Sequence, residues 1–250
     1  PAGIVACVGG TSTGAIDNLT GIAVVAKRHG LYVHVDAAWA GAAMICPEFR
    51  TLWTGVESVD SLVLNPHKWL GAQFDCSAHF VREPDTLVRT LAIQPDFLKT
   101  HGREGLVNYS EWSIPLGRRF RALQLWFLLR GHGLEGLRSM IREHVRWSQA
   151  LARRFAAEPG FSLVTQPVLS LFSFRHDPGD GRDLDAHNLA LVTAINDDGR
   201  LYLTQTRVEG RIALRFQIGA MATTEGDVDL AFEVVRDLAR SLVSSHPARR

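Results

Sequence analysis

The chain has only three cysteines in 250 residues, Cys7, Cys46 and Cys76. They are scattered and odd in number, which excludes a disulfide framework and any paired-cysteine metal spacing. A reducing compartment, the cytoplasm, is therefore expected. Charge of one sign is lacking too: 27 Lys and Arg stand against 26 Asp and Glu, a formal net charge of +1. No global field draws such a chain to nucleic acid or to an anionic lipid surface. No apolar run approaches the ~20 residues that a membrane helix needs, and no signal peptide is visible. An initiating methionine is missing as well. Pro1 leads directly into Gly3-Ile4-Val5-Ala6-Cys7-Val8, which reads as a buried strand, so the sequence is expected to be part of a longer protein.

What is present suffices for a substantial core. The chain is 46% hydrophobic, enough for one large or two modest domains. After the first strand comes the Gly/Ser/Thr cluster from Gly9 to Gly14. Asp17 and Asn18 are helix N-cap types. Leu19, Ile22, Ala23 and Ala26 then recur at helical spacing, and Lys27, Arg28, His29 and Gly30 suit a helix end. A second strand, Leu31 to Asp36, completes a strand–helix–strand unit with parallel pairing. Further strands are predicted near Ser61–Leu64 and Ser77–Val81, and little periodicity over Ile93–Trp112 reads as a long loop, the usual place for a lid. One helix is predicted from Leu116 to Gly131 or Gly133, with the stripe Leu116, Phe120, Leu123 and Phe127. A second runs from Leu134 to Ala157. Arg118, Arg119 and Arg121 fall on one helix face, a solvated or salt-bridged face rather than a phosphate track. Strands at 169–174, 200–205 and 211–218 with helices at 183–196 and 226–242 predict a small α+β unit.

Chemistry gathers at strand ends. Val33 and Val35 point to one side of the second strand, while Tyr32, His34 and Asp36 point to the other. Asp36 lies at the carboxyl end, where open α/β sheets place ligands. It either faces such a ligand or caps the next turn. Lys68 follows the apolar run Ser61–Leu64 within Asn65-Pro66-His67-Lys68-Trp69, and Pro66 biases Asn65 to extended backbone. A lysine so held can lose solvation, which favours the neutral amine, a nucleophile for carbonyl carbon. Thr11 follows the first strand. A carboxylate, a carbonyl-reactive lysine and small polar groups at one sheet edge match the needs of pyridoxal 5′-phosphate (PLP), whose ring works as an electron sink when its nitrogen is kept protonated.

The sequence then resembles a known family. His34-Val35-Asp36-Ala37-Ala38-Trp39-Ala40-Gly41 and Asn65-Pro66-His67-Lys68-Trp69 are similar to the signatures of the aromatic L-amino-acid decarboxylases. So are Cys46-Pro47-Glu48-Phe49-Arg50, Phe74-Asp75-Cys76-Ser77, Ile114-Pro115-Leu116-Gly117-Arg118-Arg119-Phe120 and Leu214-Arg215-Phe216. The resemblance implies an α/β chain of PLP fold type I, aspartate-aminotransferase-like. Residues 1–125 would be the second half of the large, mainly parallel-sheet domain, and residues 126–250 a small C-terminal α+β domain. It implies that Lys68 carries PLP, Asp36 pairs the pyridinium, Ala38 packs on the ring, Thr11 lies near the cofactor, and Asn65 and His67 hold the phosphate. Arg215 stays outside this set, because a departing carboxylate needs no arginine clamp. It further implies a homodimer, an aromatic L-amino acid as substrate, and an amino-terminal half supplying a ring-stacking histidine and more phosphate donors. Trp39 and Gly10 depart from the commonest family residues.

One departure bears on the product. Gln94-Pro95-Asp96-Phe97-Leu98-Lys99 aligns with the family's mobile loop, and Phe97 stands where typical decarboxylases have tyrosine. That hydroxyl is thought to protonate the carbanion left when carbon dioxide departs. Phenylalanine cannot, so the resemblance points either to decarboxylation with amine as product or to aldehyde synthesis with uptake of dioxygen. Tyr109 or a histidine could also serve as donor. A PLP aminotransferase, a glutamate-type decarboxylase and an inactive half-subunit are the competing readings.

Overall fold

The computed structural model describes residues 1–93 and 107–245. Two four-stranded sheets form it. In the first, β1 (Gly3–Cys7), β2 (Tyr32–Asp36) and β3 (Ser61–Leu64) are parallel neighbours, and β4 (Ala78–Val81) closes the order antiparallel to β3. Helix α1 (Leu19–His29) makes the β1–β2 crossover. Its two predicted cap residues divide the work: Asn18 accepts from the amide of Gly21 at 3.0 Å, whereas Asp17 accepts from the amide of Cys7 at 2.7 Å. Gly30 ends the helix in the left-handed region.

α1 and short 3-10 turns at Ala40–Ile45 and Pro47–Trp53 cover one face of this sheet, burying Ala6, Val33 and Val35 among Leu19, Ala26 and Trp53. The opposite face is bare. Val5 is 71% exposed and Tyr32 45%. His34 on that face bonds Ser61 Oγ through Nδ1 at 2.7 Å and meets His79 edge-on. Parallel sheets are normally covered on both sides.

α2 (Pro84–Leu91) follows β4. α3 (Arg121–Ala157) is two helical stretches meeting at Gly133, whose φ of 69° and ψ of 162° break the helix. The predicted start at Leu116 is corrected. Residues 113–120 are non-helical, and the Arg121 guanidinium is gripped by Asp75 through two bonds of 3.1 and 3.0 Å. Arg118 and Arg119 thus precede the helix. The stripe Leu116, Phe120, Leu123 and Phe127 is exposed rather than buried. The second stretch keeps its expected face: Leu137, Ile141 and Val145 enter the first core, and Leu151 and Phe155 the second.

The second sheet is antiparallel throughout, in the order β5 (Phe161–Val168), β6 (Leu171–His176), β8 (Arg211–Gln217), β7 (Thr204–Val208). β5 is absent from the sequence reading, and β7 lies later than predicted. α4 (Leu184–Asp198), capped by Asp183, and α5 (Glu225–Ser245) pack with α3 over Phe172, Phe174, Leu214 and Phe216. Cys7, Cys46 and Cys76 are free thiols. Among the described residues no helix is long and apolar enough to cross a membrane.

Candidate active site

Strand register sets the site. Cys7, Asp36 and Val63 lie side by side where β1, β2 and β3 end. The chain leaving β2 stays beside the chain leaving β3, because Ala37 N–H donates to Val63 O at 3.0 Å and Asn65 N–H to Ala38 O at 2.8 Å. The exits of two parallel strands are thereby tied together just before Lys68.

Asp36 is exposed and its Oδ1 accepts from the amide of Ala38 at 2.9 Å, an arrangement that caps its own turn while leaving Oδ2 open. Its charge is felt next door: burial, then Asp36 and Asp17, push the Cys7 thiol up. Asn65 is half-buried, and its Oδ1 has no hydrogen-bond partner among the described residues. His67 Nδ1 lies 2.7 Å from the carbonyl oxygen of Cys76. The amide N–H of Cys76 lies 3.1 Å from the same nitrogen, so Cys76 holds the ring through Nδ1 and leaves Nε2 free.

Lys68 hangs from a compact turn in which its amide donates to Asn65 O at 2.9 Å and Ala72 N–H donates to Pro66 O at 3.0 Å. Its side chain is exposed and has no hydrogen-bond or ion-pair partner among the described residues. The expectation that the lysine is desolvated is therefore corrected for this chain: the turn lies at the open end of the sheet. Lys68 shares a cleft of about 380 Å³ with Thr11, Trp39, Trp69, Arg215 and Gln217. Asp36, Ala38, Asn65 and His67 lie on the neighbouring strand exits and not on this wall. Phe97 lies outside the described residues.

Two walls of the cleft were not legible from the sequence. Trp39 donates its indole N–H to Gly9 O and packs on Trp69 with ring centroids 5.4 Å apart. Gly9 allows this approach: a Cβ there would come within 2.4 Å of Ala40 Cβ. Arg215, set aside in the sequence reading, reaches in from β8. Its Nε donates to Thr11 O at 2.5 Å and its Nη2 to Gln217 Oε1, and among the described residues it pairs with no carboxylate. Burial lowers its pKa. An arginine inside the otherwise apolar run from Ile212 to Phe216 was the available signal.

These residues fit PLP. The cleft lies within the ~300–1,000 Å³ usual for small-molecule sites. A free amine and a free carboxylate oxygen lie on adjacent strand exits. A parallel sheet with a lysine on the turn beyond an inner strand, a carboxylate closing the strand beside it, and an antiparallel α+β unit behind defines a PLP enzyme of fold type I. The family model described as the pyridoxal-dependent decarboxylase conserved domain matches residues 1–177, and the chain belongs to that family. It is 40% identical over 250 residues to a tryptophan decarboxylase of Camptotheca acuminata, covering 98% of this chain and 50% of that protein. It is 39% identical over 240 residues to the phenylacetaldehyde synthase of Arabidopsis thaliana, covering 94% and 49%. The crystal structure of Oryza sativa TDC with PLP and tryptamine superposes with a TM-score of 0.91 at 34% identity, covering 95% of this chain and 50% of that one. The chain spans about half the length of the curated relatives it matches.

Proposed function

We propose that the enzyme containing this chain decarboxylates an aromatic L-amino acid with PLP, releasing the amine and carbon dioxide. The observation that carries this is the solvent-open Lys68 amine beside Thr11 in one cleft, within a family whose similar members bear the names tryptophan decarboxylase and phenylacetaldehyde synthase. When bound, PLP supplies an electron sink for the electron pair left by the carboxylate. In this reading Lys68 Nζ would hold the coenzyme at its aldehyde carbon, Asp36 Oδ2 would keep the pyridine nitrogen protonated, and Ala38 would pack on the ring. Thr11 borders it. The Asn65 amide and His67 Nε2 hold the phosphate.

The proposal includes the division near residue 125 into a cofactor-holding part and a small carboxyl-terminal part. It also includes an amino-terminal half from outside this sequence, supported by the bare face around Val5 and Tyr32. A homodimer is supported by the exposed apolar ridge of Phe120, Leu123, Trp126 and Phe127. A cytoplasmic location is supported by three free thiols.

Borohydride reduction of the PLP-loaded enzyme is expected to add the reduced coenzyme's mass to the peptide bearing Lys68, and Lys68→Ala to abolish both adduct and turnover. An adduct on another lysine sinks the assignment. Assays with tryptophan, tyrosine, DOPA and phenylalanine then define the substrate.

Phe97 favours a second reading, in which amino acid, dioxygen and water give aldehyde, carbon dioxide, ammonia and hydrogen peroxide. A general acid contributes ~10²–10⁴ in rate, so Phe97→Tyr is expected to move product toward amine. Amine formation by the unaltered enzyme without oxygen uptake defeats this second reading.

A further inference from the structure

We propose that His144 is a positioning residue for Lys68: through Trp69 it fixes the turn from which the lysine amine enters the cleft. The inference rests on the PLP reading above. With no partner for its own side chain among the described residues, Lys68 is aimed only by the backbone that carries it. A tethered ring lies on each side of that backbone. His67 is bonded to Cys76, and Trp69 is held from α3, far along the chain.

Trp69 is 1% exposed, and its indole Nε1–H donates to His144 Nδ1 at 3.0 Å, with the two rings 11° from parallel. An indole can only donate, so Nδ1 must present a lone pair and the imidazole must be the neutral tautomer protonated on Nε2. His144 is itself 1% exposed, and burial lowers its pKa, which keeps it neutral. On its other side Trp69 packs against Trp39, whose own N–H is taken by Gly9 O. The indole nitrogens of Trp53 and Trp147 are also buried yet have no partner among the described residues, so a buried indole in this chain does not acquire an acceptor by default. Among the described residues two buried indoles have an acceptor aimed at them, Trp39 from the Gly9 carbonyl and Trp69, the residue adjoining Lys68, from His144.

Removing the acceptor strands a buried N–H. The indole then rolls toward any oxygen it can reach, and the Asn65–Ala72 turn moves with it.

The test compares His144→Phe, which keeps a ring and removes the acceptor, with His144→Asn, which restores one near the Nδ1 position. Both are made in the full enzyme that contains this chain, loaded with PLP. From the loss of one buried hydrogen bond, His144→Phe is expected to lower kcat about 10-fold with little change in KM and to speed coenzyme release about 10-fold, and His144→Asn to stay within about 3-fold of the unaltered enzyme. Nitrogen-15 shifts of the unaltered protein are expected to show His144 protonated on Nε2 and the Trp69 indole proton moved downfield. The inference is overturned if His144→Phe matches the unaltered enzyme, if His144→Asn is no better than His144→Phe, or if the ring is protonated on Nδ1. Should His144→Phe fail to fold, the asparagine variant and the tautomer decide. An unaltered enzyme that forms no adduct at Lys68 refutes the functional reading instead, and the tautomer still decides whether the Trp69 bond exists.

Discussion

The two sheets differ in how complete they are. Every residue of β6 is buried, and Phe155 packs against Phe161, Phe172, Phe174 and Phe232 within a closed aromatic core. The buried Asn188 side chain is matched as well. Asn188 Oδ1 accepts from His176 N–H at 2.9 Å, and its Nδ2 donates to the carbonyls of His176 and Leu184 at 2.9 and 2.8 Å. The first sheet, which carries Asp36 and the turn to Lys68, is packed on one side only. The region with the chemistry is thus the unfinished one, and the region without it is self-sufficient. A site built at strand ends needs walls from elsewhere, whereas a packing module has only itself to satisfy.

The sharpest way to break this comparison is to open the closed core. Phe155→Ala is expected to cost about 3–5 kcal/mol, read as a fall in the denaturant midpoint. A loss below ~1 kcal/mol would mean that the aromatic cluster is far looser than its burial implies.

The next effect in size comes from acid. His176 Nδ1 and His187 Nε2 lie 2.8 Å apart in the interior. Burial, then His187, with Arg182 adding and Asp177 opposing, bring His176 down to about 4, and burial followed by Arg182 lowers His187. A folded pKa below the unfolded one means that the neutral rings stabilise the fold above pH ~6.5. That contribution is lost as pH falls from there toward 4. The loss for His176 is on the order of 3 kcal/mol, checked by denaturation at stepped pH. His187→Gln should flatten the profile.

The smallest effect sharpens the other side. Val5→Thr on the bare face is expected to change the stability of this chain by no more than about 0.5 kcal/mol. The same substitution in the longer enzyme is expected to cost more, because a covering layer would then bury the hydroxyl. Equal effects in both would count against that layer.

Much of the first sheet could be read directly, because each signal there was local. Asn18 and Gly30 bound α1 as their residue types demand, and the turn after β3 follows from Pro66. The misreadings have physical causes. β5 holds Pro167 among Ser, Thr and Gln residues, and its pairing with β6 shifts register twice, so no clean alternation marks it. The stripe from Leu116 to Phe127 announces an apolar face but not what covers it. Trp69 and His144 meet only because α3 crosses beneath the lysine turn, a contact that no spacing rule encodes. Asp36 and Lys68 stand out in the sequence because their surroundings are short and stiff, whereas Arg215 reaches Thr11 from the other sheet.

The stretch of α3 beyond Gly133 plugs Ile141 and Val145 into one core and Leu151 and Phe155 into the other. A rod shared in this way leaves no place for the protein to come apart in halves. Calorimetry should record a single endotherm, and ligands that tighten the lysine end should delay melting of the far sheet as well.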